Sequence, residues 1–201
     1  MAAQGAQNGD RLKRMLSDGA DGDEVVQVPE CVQMAQAPLA TQIDALDAVI
    51  EAIDKEFAAE AKADDKARRL MSVTGIGPVT ASAIAATVPD MSAFASGREF
   101  SAFLGLTPRQ HSSGGKERLG RITKMGDRYL RKLLVVGATA VLHHARGRND
   151  PLHRYARQLL ERKGGQAGFK LTAVALANKL ARIVFAILHS GKVFSDPPVP
   201  A

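Results

Sequence analysis

A single cysteine, Cys31, stands among 201 residues. That excludes an internal disulfide and argues against a zinc site built on cysteines. No run approaches the roughly 18 consecutive apolar residues of a membrane helix, and the opening stretch MAAQGAQNGDRLKRML lacks the apolar core of a signal peptide. These gaps fit a protein of a reducing cytoplasm. Convincing alternation of apolar and polar residues, the mark of a strand, is missing as well, so the fold class expected is mainly α. What remains is enough to fold: apolar residues make up 45% of the chain, the content of one ordinary domain with an appendage or of two small domains.

Charge is unevenly placed. Residues 1–70 carry 8 Lys and Arg against 14 Asp and Glu, whereas residues 71–201 carry 19 against 7. An asymmetry of this size suggests that the second part meets a polyanion, DNA or RNA, because phosphate neutralisation by Lys and Arg supplies most non-specific affinity. The alternative is a solvated basic surface.

Residues 1–37 are rich in Gly, Asp, Ala and Gln and are expected to be disordered or weakly ordered. From Pro38 onward, Leu39, Ile43, Leu46, Ile50, Ile53 and Phe57 alternate steps of four and three, the seam of a coiled-coil helix over about 38–67. The carboxylates between them (Asp44, Asp47, Glu51, Asp54, Glu56 and Glu60) read as solvated helix faces rather than as a metal site. LMSVTGIGPVTASAIAATV then places Gly75, Gly77 and Pro78 at a tight turn into an Ala-rich helix, whose exposed amides can hold a phosphate. The alternative there is a plain packing hairpin between two helices. Ser96 and Glu99 have capping-box spacing for a short helix ending near Gly105. Asp127 is placed to cap the next helix, another spans about 151–163 after it, and a last helix runs from about Leu171 to Ser190, stopped by Gly191. KGGQAG reads as a mobile connection and residues 195–201 as a disordered tail.

The stretch most suited to chemistry is PRQHSSGGKERLGRITKMGDRYLRK. Arg109, Lys116, Arg118, Arg121 and Lys124 are expected in a loop, and Arg128, Arg131 and Lys132 on the first turns of the following helix. Basic residues near a helix N-terminus oppose its dipole, so three of them there call for a reason outside local stability. Bound phosphate supplies one. Ser112 and Ser113, beside Gly114 and Gly115, sit in that positive field. A serine hydroxyl attacks phosphorus only where nearby charge stabilises the alkoxide and the transition state, which clustered Arg and Lys can do without a metal. His111 is a candidate proton acceptor or a solvated loop histidine. By composition alone the same run is also an ordinary basic linker.

Residues 68–194 resemble the C-terminal domain of the insertion-sequence 110/116/902 family of transposases. The matching stretches are LMSVTGIGPVTASAIAATV, FASGREFSAFLGLTPRQHSSGGKERLGRITKMGDRYLRKLLVVGATAV and ALANKLARIVFAILHSGKVF. The resemblance implies a DNA recombinase whose C-terminal serine becomes covalently joined to DNA, with a structured guide RNA as partner. Its Ser-Gly element falls on Ser113, or on Ser112 in the alternative alignment. The GIGPVTA turn implies a helix-hairpin-helix whose Gly75 and Gly77 contact backbone phosphate. Residues 109–131 then supply the nucleic-acid contacts Arg109, Lys116, Arg118, Arg121, Lys124, Arg128 and Arg131.

A full-length member of that family carries a RuvC-like domain, with a metal-binding acidic tetrad, ahead of the coiled coil. Only 37 residues precede Pro38 here, and they show no strand pattern suited to it. The expectation is a C-terminal, non-autonomous part of a transposase: no cofactor of its own, divalent metal only in the RuvC-like domain, and turnover dependent on another chain. It is either half of a split enzyme or a remnant. The alternative function is a non-catalytic helical nucleic-acid-binding protein. A heptad seam without a partner in the chain implies a homo-oligomer, a dimer or higher. No membrane partner is expected, and the location is the cytoplasm, on the nucleoid when DNA is bound.

Overall fold

A computed structural model describes residues 30–111 and 119–194. The chain forms α1 (Glu30–Ala63), α2 (Asp65–Leu70), α3 (Pro78–Thr87), α4 (Gly97–Phe103), β1 (Pro108–Gln110), β2 (Leu119–Ile122), α5 (Arg128–His143), α6 (Pro151–Arg162) and α7 (Phe169–Ser190). Short 3-10 turns lie at Met91–Ala93 and Gly165–Gly168. The fold is mainly α, as the sequence implies. It divides into two units, Met1–Ala59 and Glu60–Ala201.

In the first unit, α1 begins at Glu30, upstream of the expected start, and Pro38 lies inside it. The stretch ECVQMAQA is dominated by good helix formers, which favour continuation across the missing proline amide. The helix also stops earlier than expected. Asp64 takes an extended backbone, and its carboxylate accepts the Lys66 amide at 2.8 Å, so a new helix is capped there. The heptad residues Leu39, Leu46, Ile50, Ile53 and Phe57 stand exposed. The acidic faces behave as solvated surface. Glu51, for example, accepts a hydrogen bond from Lys55 at 2.8 Å, which holds its carboxyl below the usual range.

In the second unit the core is built around α7. Its buried residues Thr172, Ala173, Leu176, Ala177, Leu180, Ala181, Val184 and Ile187 recur at steps of one and three, the stripe of a helix covered on one face. α4, α5 and α6 pack on it, as does the shorter α2. Leu130 and Leu134 of α5 and Phe100 and Leu104 around α4 are fully buried in this cluster. The span Gly165–Ser190 is long and apolar enough to cross a membrane by length and composition. Its apolar face is the one this core uses.

Local capping places the helices as expected. Ser96 Oγ accepts the Glu99 amide at 3.3 Å, while Glu99 Oε2 reaches back to the Ala95 amide at 2.7 Å. Asp127 Oδ1 accepts the Leu130 amide at 2.7 Å and starts α5. Gly191, with φ of +70°, ends α7. The segment expected as a mobile connection before α7 carries the 3-10 turn Gly165–Gly168.

Candidate nucleic-acid interface

Two strands appear where a loop was expected. β1 pairs antiparallel with β2, Pro108 opposite Ile122 and Gln110 opposite Leu119, with a register irregularity between. Pro108 sits at the strand end, where its missing amide costs least. The strands have 3 and 4 residues, too few for alternation to register in the sequence. Arg109 and Arg121 therefore sit on a β-hairpin, both exposed. Ser112, Ser113, Lys116 and Arg118 fall in sequence between the strands and lie outside the described residues.

The two flanks of the hairpin are tied to each other, between the end of α4 and the approach to α5. The Thr123 amide donates to the Thr107 carbonyl at 2.9 Å, and the Lys124 amide to the Gly105 carbonyl at 3.1 Å. Arg109 Nη2 donates to the Thr123 carbonyl at 3.3 Å. The His111 ring lies across the pair over Gly120, where an added Cβ would stand 2.8 Å from its Cδ2. The glycine is what lets the imidazole lie there.

The other basic candidates take two different roles. Lys124, Arg128 and Lys132 are exposed. Arg131 is half-buried, and its Nη1 donates to the Leu104 carbonyl at 2.9 Å and to the Asp127 carbonyl at 3.3 Å. It satisfies the C-terminal carbonyl of α4, a structural task that its charge alone does not reveal. Arg131→Ala is expected to lower stability by about 1–3 kcal/mol, the range for losing hydrogen bonds from a charged donor. Arg128→Ala should leave the melting temperature unchanged and reduce the salt slope of DNA binding by about one. Thermal melts and salt titrations of the two variants check the division.

The turn between α2 and α3 also splits its two glycines. Gly75 has φ of +91° and lies against α5: a Cβ on Gly137 would stand 2.0 Å from the Gly75 carbonyl oxygen. Gly77 is exposed and caps α3 with no side-chain hydrogen bond, while Pro78 occupies the first turn. The open helix start is therefore at Gly77, while Gly75 packs against α5.

Among the described residues, no three His, Cys, Asp or Glu side chains stand together in a way that could hold a metal ion. The sequence reading also missed a buried histidine on α6, paired with the half-buried aspartate that caps the helix. His153 is 1% exposed. Its Nδ1 bonds the Asp150 carboxylate, whose other oxygen accepts the His153 amide at 3.0 Å. Asp three residues before His, at a helix start preceded by RND and opened by Pro151, was the available signal.

Residues 67–155 match the family model described as Transposase IS116/IS110/IS902 family. That range holds the hairpin turn, both strands and every basic candidate. Residues 67–155 are thus a domain of the IS116/IS110/IS902 transposase family. Among its relatives, a probable family 20 transposase of Pseudomonas aeruginosa is 45% identical over 150 residues, 75% of this chain and 43% of the relative. The transposase for insertion sequence element IS1111A of Coxiella burnetii is 41% identical over 150 residues, 75% of this chain and 40% of that protein. A pilin gene-inverting protein of Moraxella lacunata is 28% identical over 130 residues, 64% of this chain and 38% of its own. The chain thus spans about two fifths of the length of these transposases.

Proposed function

We propose that this transposase domain binds DNA backbone and performs strand transfer with a serine nucleophile, Ser113 or Ser112. Membership of the transposase family carries the reading, because the matched range contains both serines and the basic strands around them. The attacking Oγ forms a new P–O bond as one strand oxygen leaves and takes up a proton. A phosphodiester is exchanged for a phosphodiester, so no external energy source is required. Arg109, Lys116, Arg118 and Arg121 are assigned to charge stabilisation at the phosphate, and Lys124 and Arg128 to backbone contact. Gly77 is assigned to phosphate contact at the open start of α3.

Partners follow from the same reading. A RuvC-like domain with its divalent metal and a structured guide RNA complete the machinery. The exposed heptad face of α1 supports self-association as a dimer or higher, and the assembly acts in the cytoplasm on nucleoid DNA.

The test is a covalent adduct. The protein is incubated with element-end DNA, the element's RNA and a relative that carries the RuvC-like domain, and then denatured and resolved. Wild type is expected to give a protein–DNA adduct, which Ser112→Ala/Ser113→Ala abolishes and one of the single variants retains. No adduct from wild type, or an adduct that survives the double change, sinks the catalytic reading. Salt-sensitive DNA binding in that case identifies a non-catalytic nucleic-acid-binding protein.

A further inference from the structure

Met125 is 70% exposed, the most exposed large apolar side chain among the described residues, and Tyr129, four residues on, is 55% exposed. Neither position is loose. Lys124 takes φ of +56°, a conformation rare for a residue with a side chain, and Gly126 takes +97°. The backbone between them is wedged against the end of α4. A Cβ on Gly126 would lie 1.8 Å from the Phe103 carbonyl oxygen, and one on Gly105 would lie 2.2 Å from the Met125 carbonyl oxygen. The Lys124 amide on the Gly105 carbonyl pins the same corner at 3.1 Å. Folding thus accepts a strained backbone at Lys124 and leaves the neighbouring methionine in water, where burial would have stabilised it.

The exposed charges on either side of this peg along the chain are cationic. Arg121, Lys124, Arg128 and Lys132 are all exposed on the hairpin and the first turns of α5. The nearest acid in sequence, Asp127, has its carboxylate engaged with the Leu130 amide at 2.7 Å. An apolar tip on a rigid backbone flanked by exposed cations matches the wedges with which proteins unstack and kink duplex DNA. The cations neutralise phosphates, and the tip enters the gap between two bases. Tyr129 supplies a ring face for the base that is freed.

We propose that Met125 is a wedge that opens a base step in duplex DNA and that Tyr129 stacks on the displaced base. The inference rests on the DNA-binding reading above and adds to it a deformation of the substrate. Duplex DNA is the occupant because its pyrimidine–purine steps open at little cost, so a wedge finds a defined place to enter. Unstacking there frees the strand for attack.

The experiment uses the full chain and duplex DNA probes carrying one 2-aminopurine, whose fluorescence rises when it leaves the stack, placed in TA, CA or AA steps. Wild type is expected to raise the signal several-fold at TA or CA steps. Met125→Ala should keep its melting temperature and its salt slope while returning the signal to that of free DNA, and Met125→Leu should restore it. Tyr129→Ala should weaken binding about tenfold, the scale of one lost base–aromatic stack. Salt-sensitive binding without a signal at any step overturns the wedge and leaves DNA binding standing. So does a signal that survives Met125→Ala. A signal seen only with duplex RNA overturns it in favour of an RNA role. Absence of salt-sensitive binding by wild type overturns both this proposal and the reading beneath it.

Discussion

Gly137→Ala is expected to destabilise the domain, although helix propensity alone predicts the opposite. Gly137 lies inside α5, where alanine is better than glycine by about 1 kcal/mol. In the folded chain that gain is outweighed. The added Cβ would stand 2.0 Å from the Gly75 carbonyl oxygen and 3.1 Å from its carbon, backbone atoms that no rotamer change moves aside. Gly75 cannot take a side chain either, since its own Cβ would lie 2.7 Å from Val141 Cγ2 at φ of +91°. Overpacking of this kind costs about 1–3 kcal/mol. For Gly137→Val the branched side chain raises the loss to about 3 kcal/mol or more. That corresponds to a fall of about 10 °C in melting temperature. Thermal melts of both variants decide the point. A higher melting temperature for Gly137→Ala would mean that α5 and the turn at Gly75 do not touch in solution. The contact fixes the turn leading to Gly77 against the helix that carries Arg128, the two residues proposed above to meet backbone phosphate.

Asp150→Ala is the second large effect. The carboxylate caps α6 through the His153 amide and holds the ring of that buried histidine. Loss of an N-cap costs about 1 kcal/mol, and leaving a buried polar group unsatisfied costs about 1–3 kcal/mol more. Asp150→Asn should recover the cap but not the ring contact, and so fall between the two. The pH dependence follows from the direction of the carboxyl shift. Partial burial raises the Asp150 pKa, but the His153 amide and ring outweigh that and bring it below its ordinary value of 3.8. A depressed carboxyl contributes stability that is present above the unfolded-state pKa and lost as pH falls through the folded one. The gap in stability between wild type and Asp150→Ala should therefore be full at neutral pH and narrow below about pH 4. Chemical denaturation at a series of pH values measures it, and a gap that persists unchanged into acid would show that the carboxylate is not the stabilising partner.

The candidate site was legible in part. Charge asymmetry singled out the run from Arg109 to Lys132, and the resemblance to insertion-sequence transposases agrees with the family match at residues 67–155, which contains that run. The division among the basic residues was not legible. Arg128 and Arg131 look alike in the sequence, yet one is exposed and the other donates to the Leu104 carbonyl, 27 residues away along the chain. Gly75 and Gly77 likewise looked equivalent, and only the approach of α5 separates them.

What the sequence determined by itself is local. Helix starts at Ser96, Asp127 and Asp150 are set by side chains that accept amides three residues on, and α7 is set by a buried stripe within one segment. The error at α1 has the same local character, since Pro38 was read as a start where the preceding helix formers carry through it. Tertiary structure decided the rest: the pairing of Pro108–Gln110 with Leu119–Ile122, the Gly75–Gly137 contact, the capture of Leu104 by Arg131 and the outward fixing of Met125. Each of these depends on where a distant segment arrives. The energy that selects them belongs to the contact and is absent from either segment alone.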